Sequence, residues 1–199
     1  FTRGTMQHSK PGDPAMVGFA RTAKISGLLP AREPADVIRA RRMDYFRSMA
    51  ARQGPRLAVI EDIDYPNCIA GWWGEIHVAV HKGLGQVGAI TNGVMRDLDV
   101  MDAGFPVLAG SIGPSHGFVH VVEIGGPVGL MGMHISQDEL MHADRHGAIV
   151  IPNEIIADLK QAIETVIANE AIVLGPARAP GFDIERLEKV WAEFEAART

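Results

Sequence analysis

Between Gly113 and Gly147 the chain carries seven glycines and two prolines, with short apolar pairs in the gaps. Glycine and proline at that density break helices, so the segment is predicted to form short β-strands joined by turns. Helical patterns flank it. Asp36–Gln53 has Val37, Met43, Phe46 and Met49 at helical spacing with arginines between them, which predicts a helix with a basic outer face, stopped by Gly54-Pro55. Trp72–Lys82 reads as a helix closed by Gly83, Asn153–Asn169 as a helix, and Phe182–Ala197 as a last amphipathic helix with Leu187, Val190, Trp191 and Phe194 inward. Strands are predicted at Ala15–Lys24, Arg56–Glu61, Gln86–Thr91, Phe105–Ala109 and Ala148–Ile151, and a turn into a short helix over Gly93–Ala103. The expected organisation is an arm at 1–14, one α/β domain over 15–175, and a C-terminal helix over 176–199.

The 199 residues suffice for one sizeable domain. A net charge of −5 gives no global field towards nucleic acid, so no nucleic-acid partner is expected. Cys68 is the one cysteine, which excludes an internal disulfide and fits a reducing cytoplasm. No apolar run reaches the roughly 18–20 residues of a membrane span, so no membrane partner is expected either.

Several motifs have plain readings. Gly83-Leu84-Gly85-Gln86-Val87-Gly88 matches G-x-G-x-x-G, but a helix precedes it and a strand follows, the reverse of a dinucleotide loop. It reads as a helix C-terminus and turn. The pairs His77/His81, His116/His120 and His142/His146 are spaced i, i+4; only the first lies on a predicted helix, and it lacks the glutamate of a zinc-protease motif. They read as surface or hydrogen-bonded histidines. Cys68 has no base beside it in sequence and reads as an idle thiol. The most informative segment is Thr91-Asn92-Gly93-Val94-Met95-Arg96-Asp97, where a strand runs into a glycine turn and then an Arg-Asp pair. Strand C-termini in α/β sheets open onto binding crevices. There an arginine fork suits a carboxylate or enolate oxygen, and the carboxylate beside it suits Mg²⁺. A surface salt bridge is the alternative.

The stretch Gly74–Asp97 resembles the RraA-like proteins, which comprise the class II 4-hydroxy-4-methyl-2-oxoglutarate/4-carboxy-4-hydroxy-2-oxoadipate aldolases and the regulators of ribonuclease activity. Glu75, twenty residues from Ile76 to Met95, and then Arg96-Asp97 match the aldolases' spaced acid and Arg-Asp. Gly126-Pro127-Val128, Asp138–Pro152 and the early strand Met16-Val17-Gly18-Phe19-Ala20 are similar to further family segments, so the resemblance spans about 15–155. It implies a three-layer β/β/α sandwich of the swivelling-domain type, forming a homotrimer or homohexamer. It also implies a lyase that cleaves or decarboxylates a small 2-oxo acid to pyruvate through a metal-stabilised enolate, with oxaloacetate decarboxylation as a side activity. In that reading Asp97 anchors Mg²⁺ or Mn²⁺, Glu75 orients a metal-bound water, and Arg96 holds the substrate and steadies the enolate. Gly74 and the amides of Ile76 and His77 receive the substrate carboxylate. The family's other branch implies the rival, a non-catalytic protein that binds a ribonuclease or other protein partner. Three departures stand out: Asn92 in place of the family's Asp, Glu75 in place of the aldolases' Asp, and Gln137 where a Pro-Gly is common.

Overall fold

The computed structural model describes residues 1–198. Its contacts divide the chain into two compact units, Phe1–Pro152 and Asn153–Thr199. The break falls after Pro152, upstream of the boundary expected at 175.

The first unit is built on a mixed eight-stranded sheet. Its centre is four parallel strands, β2 (Met16–Ser26), β3 (Arg56–Asp62), β4 (Gln86–Thr91) and β6 (Val107–Ala109), in the order β6-β4-β3-β2. Helix α1 (Ala35–Ala50) links β2 to β3, and α2 (Glu75–Gly83) links β3 to β4. At 11 residues β2 is long enough to serve two partners along its other edge. Its first half pairs antiparallel with β11 (Leu140–Asp144), and its second half with β8 (His120–Ile124). β12 (Gly147–Ile151) continues the sheet beyond β11. The glycine-rich middle forms short strands, as its composition predicts: β5 (Val94–Met95) pairs with β7 (Ser111–Ile112), and β9 (Val128–Leu130) with β10 (Met133–Ile135). The N-terminal arm is not loose, since β1 (Gln7–His8) pairs with β6.

Because side chains alternate across a strand, β3 divides its apolar residues between two cores. Ala58 and Ile60 pack with Tyr45 and Met49 of α1 and with Trp72, Trp73 and Val78. Leu57 and Val59 pack with Val128, Leu130, Met133 and Ile135 of the β9–β10 hairpin and with Met141. Helices on one face and a β-layer on the other give the three-layer β/β/α arrangement. Arg21, only 6% exposed, ties β2 to both. Its Nε and Nη2 donate to the Ser48 carbonyl at the end of α1, and its Nη1 to Asp138.

The second unit is a helical pair, α3 (Ile156–Ala177) preceded by a 3-10 turn at Asn153–Ile155, and α4 (Ile184–Ala197), capped by Asp183 through the Arg186 amide. On α4 Val190 is buried but Trp191 is 47% exposed, so the expected inward stripe is only partly realised. Among the described residues no helix is long and apolar enough to cross a membrane.

Three sequence expectations shift. On α1 Tyr45 and Met49 are buried while Val37 and Met43 are exposed. The helix thus presents a face rotated from the expected one, because the Tyr45 hydroxyl finds a partner inside. Trp72 and Trp73 precede α2 rather than begin it. Gly93–Ala103 holds no helix: after β5, Asp97 adopts φ +61°, a left-handed conformation that cannot continue one.

A buried polar chain fastens α1 to α2. His81 Nδ1 lies 2.6 Å from the His77 carbonyl, which only accepts, so Nδ1 carries the proton. His81 Nε2 therefore accepts from Tyr45 Oη at 2.6 Å. Tyr45 Oη in turn accepts from Trp72 Nε1 at 3.3 Å. Burial drives the His81 pKa down to about 4 and holds the Tyr45 phenol protonated. Between the ordinary histidine value near 6.5 and about 4 the unfolded chain binds a proton that the folded chain refuses, so stability falls as pH drops through that window. Urea unfolding at pH 7 and pH 4 is expected to show a loss, of which His81 contributes on the order of 3 kcal/mol. His81→Gln, which removes the titration, should flatten that part of the pH dependence.

Candidate active site

The site forms where two chain segments meet side by side. Trp73 bridges Met95 in parallel, and the Arg96 amide donates to the Trp73 carbonyl at 2.8 Å. This sets Arg96 and Asp97 against the start of α2. The N-cap of α2 is Gly74, which has no side chain to offer. Asp97 supplies the missing cap from outside the helix, its Oδ2 accepting from the Glu75 amide at 3.3 Å. The same oxygen lies 2.5 Å from Arg96 Nη1, and Arg96 Nε donates to the Gly71 carbonyl at 3.2 Å.

Glycine at 74 is required by space. Its backbone is extended, but a Cβ there would sit 2.5 Å from Asp97 Oδ2 and 2.9 Å from Arg96 Cζ. The first helical bond of α2 runs from the Val78 amide to the Gly74 carbonyl. The amides of Ile76 and His77 precede it in the first turn and have no acceptor within the helix, an arrangement that favours an anion. All six residues named from sequence, Gly74, Glu75, Ile76, His77, Arg96 and Asp97, lie along this junction. Glu75, Ile76 and Asp97 are exposed, while Arg96 is half-buried.

Beside the junction is a cavity of about 470 Å³ whose walls include Arg42, Trp72, Ile76, His77, Arg96 and Phe118. Two guanidinium groups therefore border one largely apolar space. The His77 pKa falls to about 3, chiefly from burial, with His81, Arg42 and Arg96 adding positive field. The ring is neutral at physiological pH, and its buried Nδ1 has no hydrogen-bond partner. A second hollow of about 500 Å³, lined in part by Glu61, Asn92, Gly129 and Met131, includes none of the six junction residues.

The donors present suit one kind of metal. Asp97 Oδ2 is committed to Arg96 and the Glu75 amide, which leaves Oδ1 for a cation, with the Glu75 carboxylate at the same helix end. Among the described residues no group of three or more His, Cys, Asp or Glu side chains gathers as a metal cage. One or two carboxylates and no cage fit a hard cation that keeps most of its waters, the habit of Mg²⁺. Among the described residues the paired histidines do not gather with other side chains into a metal-binding group. Both ring nitrogens of His81 are engaged, and His116 and His120 each turn Nδ1 to a nearby carbonyl. His146 pairs with Asp144.

A match to the RraA-like family model (Aldolase/RraA) covers residues 2–150. The chain belongs to the RraA-like family. Solved structures share the fold at low identity. An uncharacterised protein from Pseudomonas syringae pv. tomato superposes with a TM-score of 0.69 and 21% identity over 94% of this chain and 80% of that one. Streptomyces coelicolor RraAS2, named as an unusual member of the RNase ES inhibitor RraA family, gives 0.67 and 20% over 85% and 81%. The RNA-processing inhibitor RraA from Thermus thermophilis gives 0.54 and 14% over 74% and 81%. No curated protein matches the chain in sequence.

Asn92 has a structural role of its own. Asn92 Oδ1 accepts from the Asp62 amide at 2.7 Å, and its Nδ2 donates to the Asp62 carbonyl at 3.0 Å. This clamp joins the ends of β3 and β4, and an ionised aspartate could make only the first bond. Gly83 and Gly85 end α2 and turn the chain into β4, with Gly85 at φ +82°, so the glycine motif is a helix terminus. Cys68 is half-buried, and burial and the Asp62 carboxylate push its thiol up to about 12, leaving it unreactive. Sequence reasoning missed Arg42, Tyr45 and the loop bearing Phe118, which are distant in the chain and carry no motif.

Gly74→Ala tests the junction. The added methyl must displace Asp97 or Arg96, and overpacking of this kind costs about 1–3 kcal/mol. Urea unfolding should show that loss with the far-ultraviolet spectrum unchanged; an unchanged midpoint would contradict the crowding at Gly74.

Proposed function

We propose that this RraA-like protein is a divalent-metal-dependent lyase that releases pyruvate from a 2-oxo acid, by retro-aldol cleavage of the 4-hydroxy-4-methyl-2-oxoglutarate type or by decarboxylation of oxaloacetate. The observation that carries the reading is the Arg96–Asp97 pair, seated on the open amide end of α2, with Arg96 lining a cavity of ligand size. Asp97 would hold Mg²⁺ or Mn²⁺, with Glu75 reaching it through a water. The cation, when bound, supplies Lewis-acid stabilisation of charge on the 2-oxo acid.

The remaining roles belong to the chain itself. The amides of Ile76 and His77 receive the substrate carboxylate, as helix N-termini receive anions. Arg96 is fixed by the Gly71 carbonyl and by Asp97. It places a constant positive charge where the carbonyl oxygen becomes negative as the carbon–carbon bond breaks. In the retro-aldol case the C4 hydroxyl gives its proton to water and C4 leaves as a carbonyl, and in decarboxylation carbon dioxide leaves; in both, the electron pair of the broken bond passes to C3, and a proton added there completes pyruvate. Glu75 is solvent-exposed beside the pair and is placed to relay that proton through water. Trp72 and Phe118 give the cavity an apolar wall.

The rival is a regulator without catalysis that binds a ribonuclease or other protein. The names of the Streptomyces and Thermus structures favour it. The intact Glu75, Arg96 and Asp97 set favours the lyase.

Pyruvate release from 4-hydroxy-4-methyl-2-oxoglutarate, coupled to lactate dehydrogenase in Mg²⁺, separates the two. The wild type should turn over, and Asp97→Ala and Arg96→Ala should each lower kcat by about 100-fold or more. Wild-type rates in Asp97→Ala would end its metal role. A silent wild type that captures a ribonuclease stoichiometrically would establish the regulator.

A further inference from the structure

Arg96 occupies one side of the 470 Å³ cavity, and a second arginine borders the same space. Arg42 projects from α1, far in sequence from the Arg-Asp motif. Arg41 pairs with Glu33, Arg47 with Asp44 and Arg52 with Asp138, whereas among the described residues Arg39 and Arg42 on α1 have no ion-pair partner, and of these two only Arg42 lines the cavity. The Arg42 side chain makes no hydrogen bond or ion pair among the described residues. An unpaired guanidinium at the edge of a cavity is free to meet a ligand. The other walls are Trp72, Ile76, Phe118 and Val119, which offer nothing to an anion, and two histidines: His77, whose ring is neutral, and His116, whose Nδ1 faces the Gly117 carbonyl. His77 lies within reach of the positive field of both guanidinium groups. Arg42 and Arg96 therefore converge on one space rather than opening to separate surfaces. Its size is that of a small-molecule site.

We propose that Arg42 is the specificity residue of this cavity: it grips a second anionic group on the ligand, so that a dicarboxylate is selected over a monocarboxylate of the same length. The inference rests on the lyase reading for the position of the first carboxylate, at the α2 amides and Arg96. It adds the other end of the ligand. One carboxylate is held at the junction, a short carbon chain lies along Trp72 and Phe118, and the second carboxylate meets the Arg42 fork. Arg42 takes no part in bond breaking. It decides which 2-oxo acid stays bound.

The test is calorimetric titration of the full chain, in Mg²⁺, with 2-oxoglutarate and with 2-oxopentanoate, which differ in that a methyl replaces the distal carboxylate. Wild type should bind 2-oxoglutarate about five- to tenfold more tightly, the discrimination expected of one partly desolvated charge pair. Arg42→Met should bring the ratio close to one through loss of 2-oxoglutarate affinity, and Arg42→Lys should keep part of it. Arg42 is solvent-exposed, so these variants should fold as the wild type does. Arg96→Met should weaken both ligands. Equal wild-type affinities, or an undiminished ratio in Arg42→Met, with both ligands still dependent on Arg96, would overturn the role of Arg42 and leave the junction intact. Failure of both ligands to bind, or indifference of both to Arg96→Met, would overturn the junction reading and this inference with it.

Discussion

The contact on which the rest depends is the cap that Asp97 places on α2. A helix whose N-cap is glycine begins with unsatisfied amides, and here one is met by a carboxylate from a different segment. That bond places Arg96 and Asp97 at the positive end of a helix and leaves the next two amides open. Gly74 makes the approach sterically feasible, and the Arg96 amide bond to Trp73 sets its register. The cap, the carboxylate that makes it and the arginine beside it thus arise from one junction, so its geometry cannot be altered without altering all three.

The core beneath keeps the junction in place. Trp72, Tyr45 and His81 form a chain of hydrogen bonds that ends on the His77 carbonyl within α2. Each member donates to the next, and a buried chain of this kind holds a single arrangement because any unpartnered member would be costly. On the other face of the sheet the β9–β10 hairpin packs by apolar contact. The Asn92 clamp on Asp62 ties the ends of β3 and β4, from which the segments leading to the junction depart. Rigid support on both faces is what a site with half-exposed charged groups needs, since the charges themselves contribute little to stability.

Much of this was legible in the sequence, for physical reasons. The parallel strands read clearly because burial on both faces makes them continuously apolar, as in Arg56–Asp62 and Gln86–Thr91. The glycine-rich middle announced its short strands. Glu75, Arg96 and Asp97 stand out by spacing and family likeness, and the structure brings them to one helix end. Other features were hidden by tertiary effects. The left-handed Asp97 removed the helix expected at Gly93–Ala103, because its side chain serves α2 instead of its own segment. The buried face of α1 was misjudged because Tyr45 carries a hydroxyl whose partners, His81 and Trp72, lie in the following segments. Arg42 joins the cavity only through packing, which no local pattern reveals.

The central claim is that the Asp97–Arg96 junction is a joint site for a divalent cation and a small carboxylate. Electron paramagnetic resonance of Mn²⁺ titrated with the protein addresses it without requiring turnover. The account predicts that the protein binds Mn²⁺, that oxalate tightens this binding, and that Asp97→Asn abolishes both effects while the protein stays folded. Mn²⁺ and oxalate binding that is equal in the wild type and Asp97→Asn would contradict it.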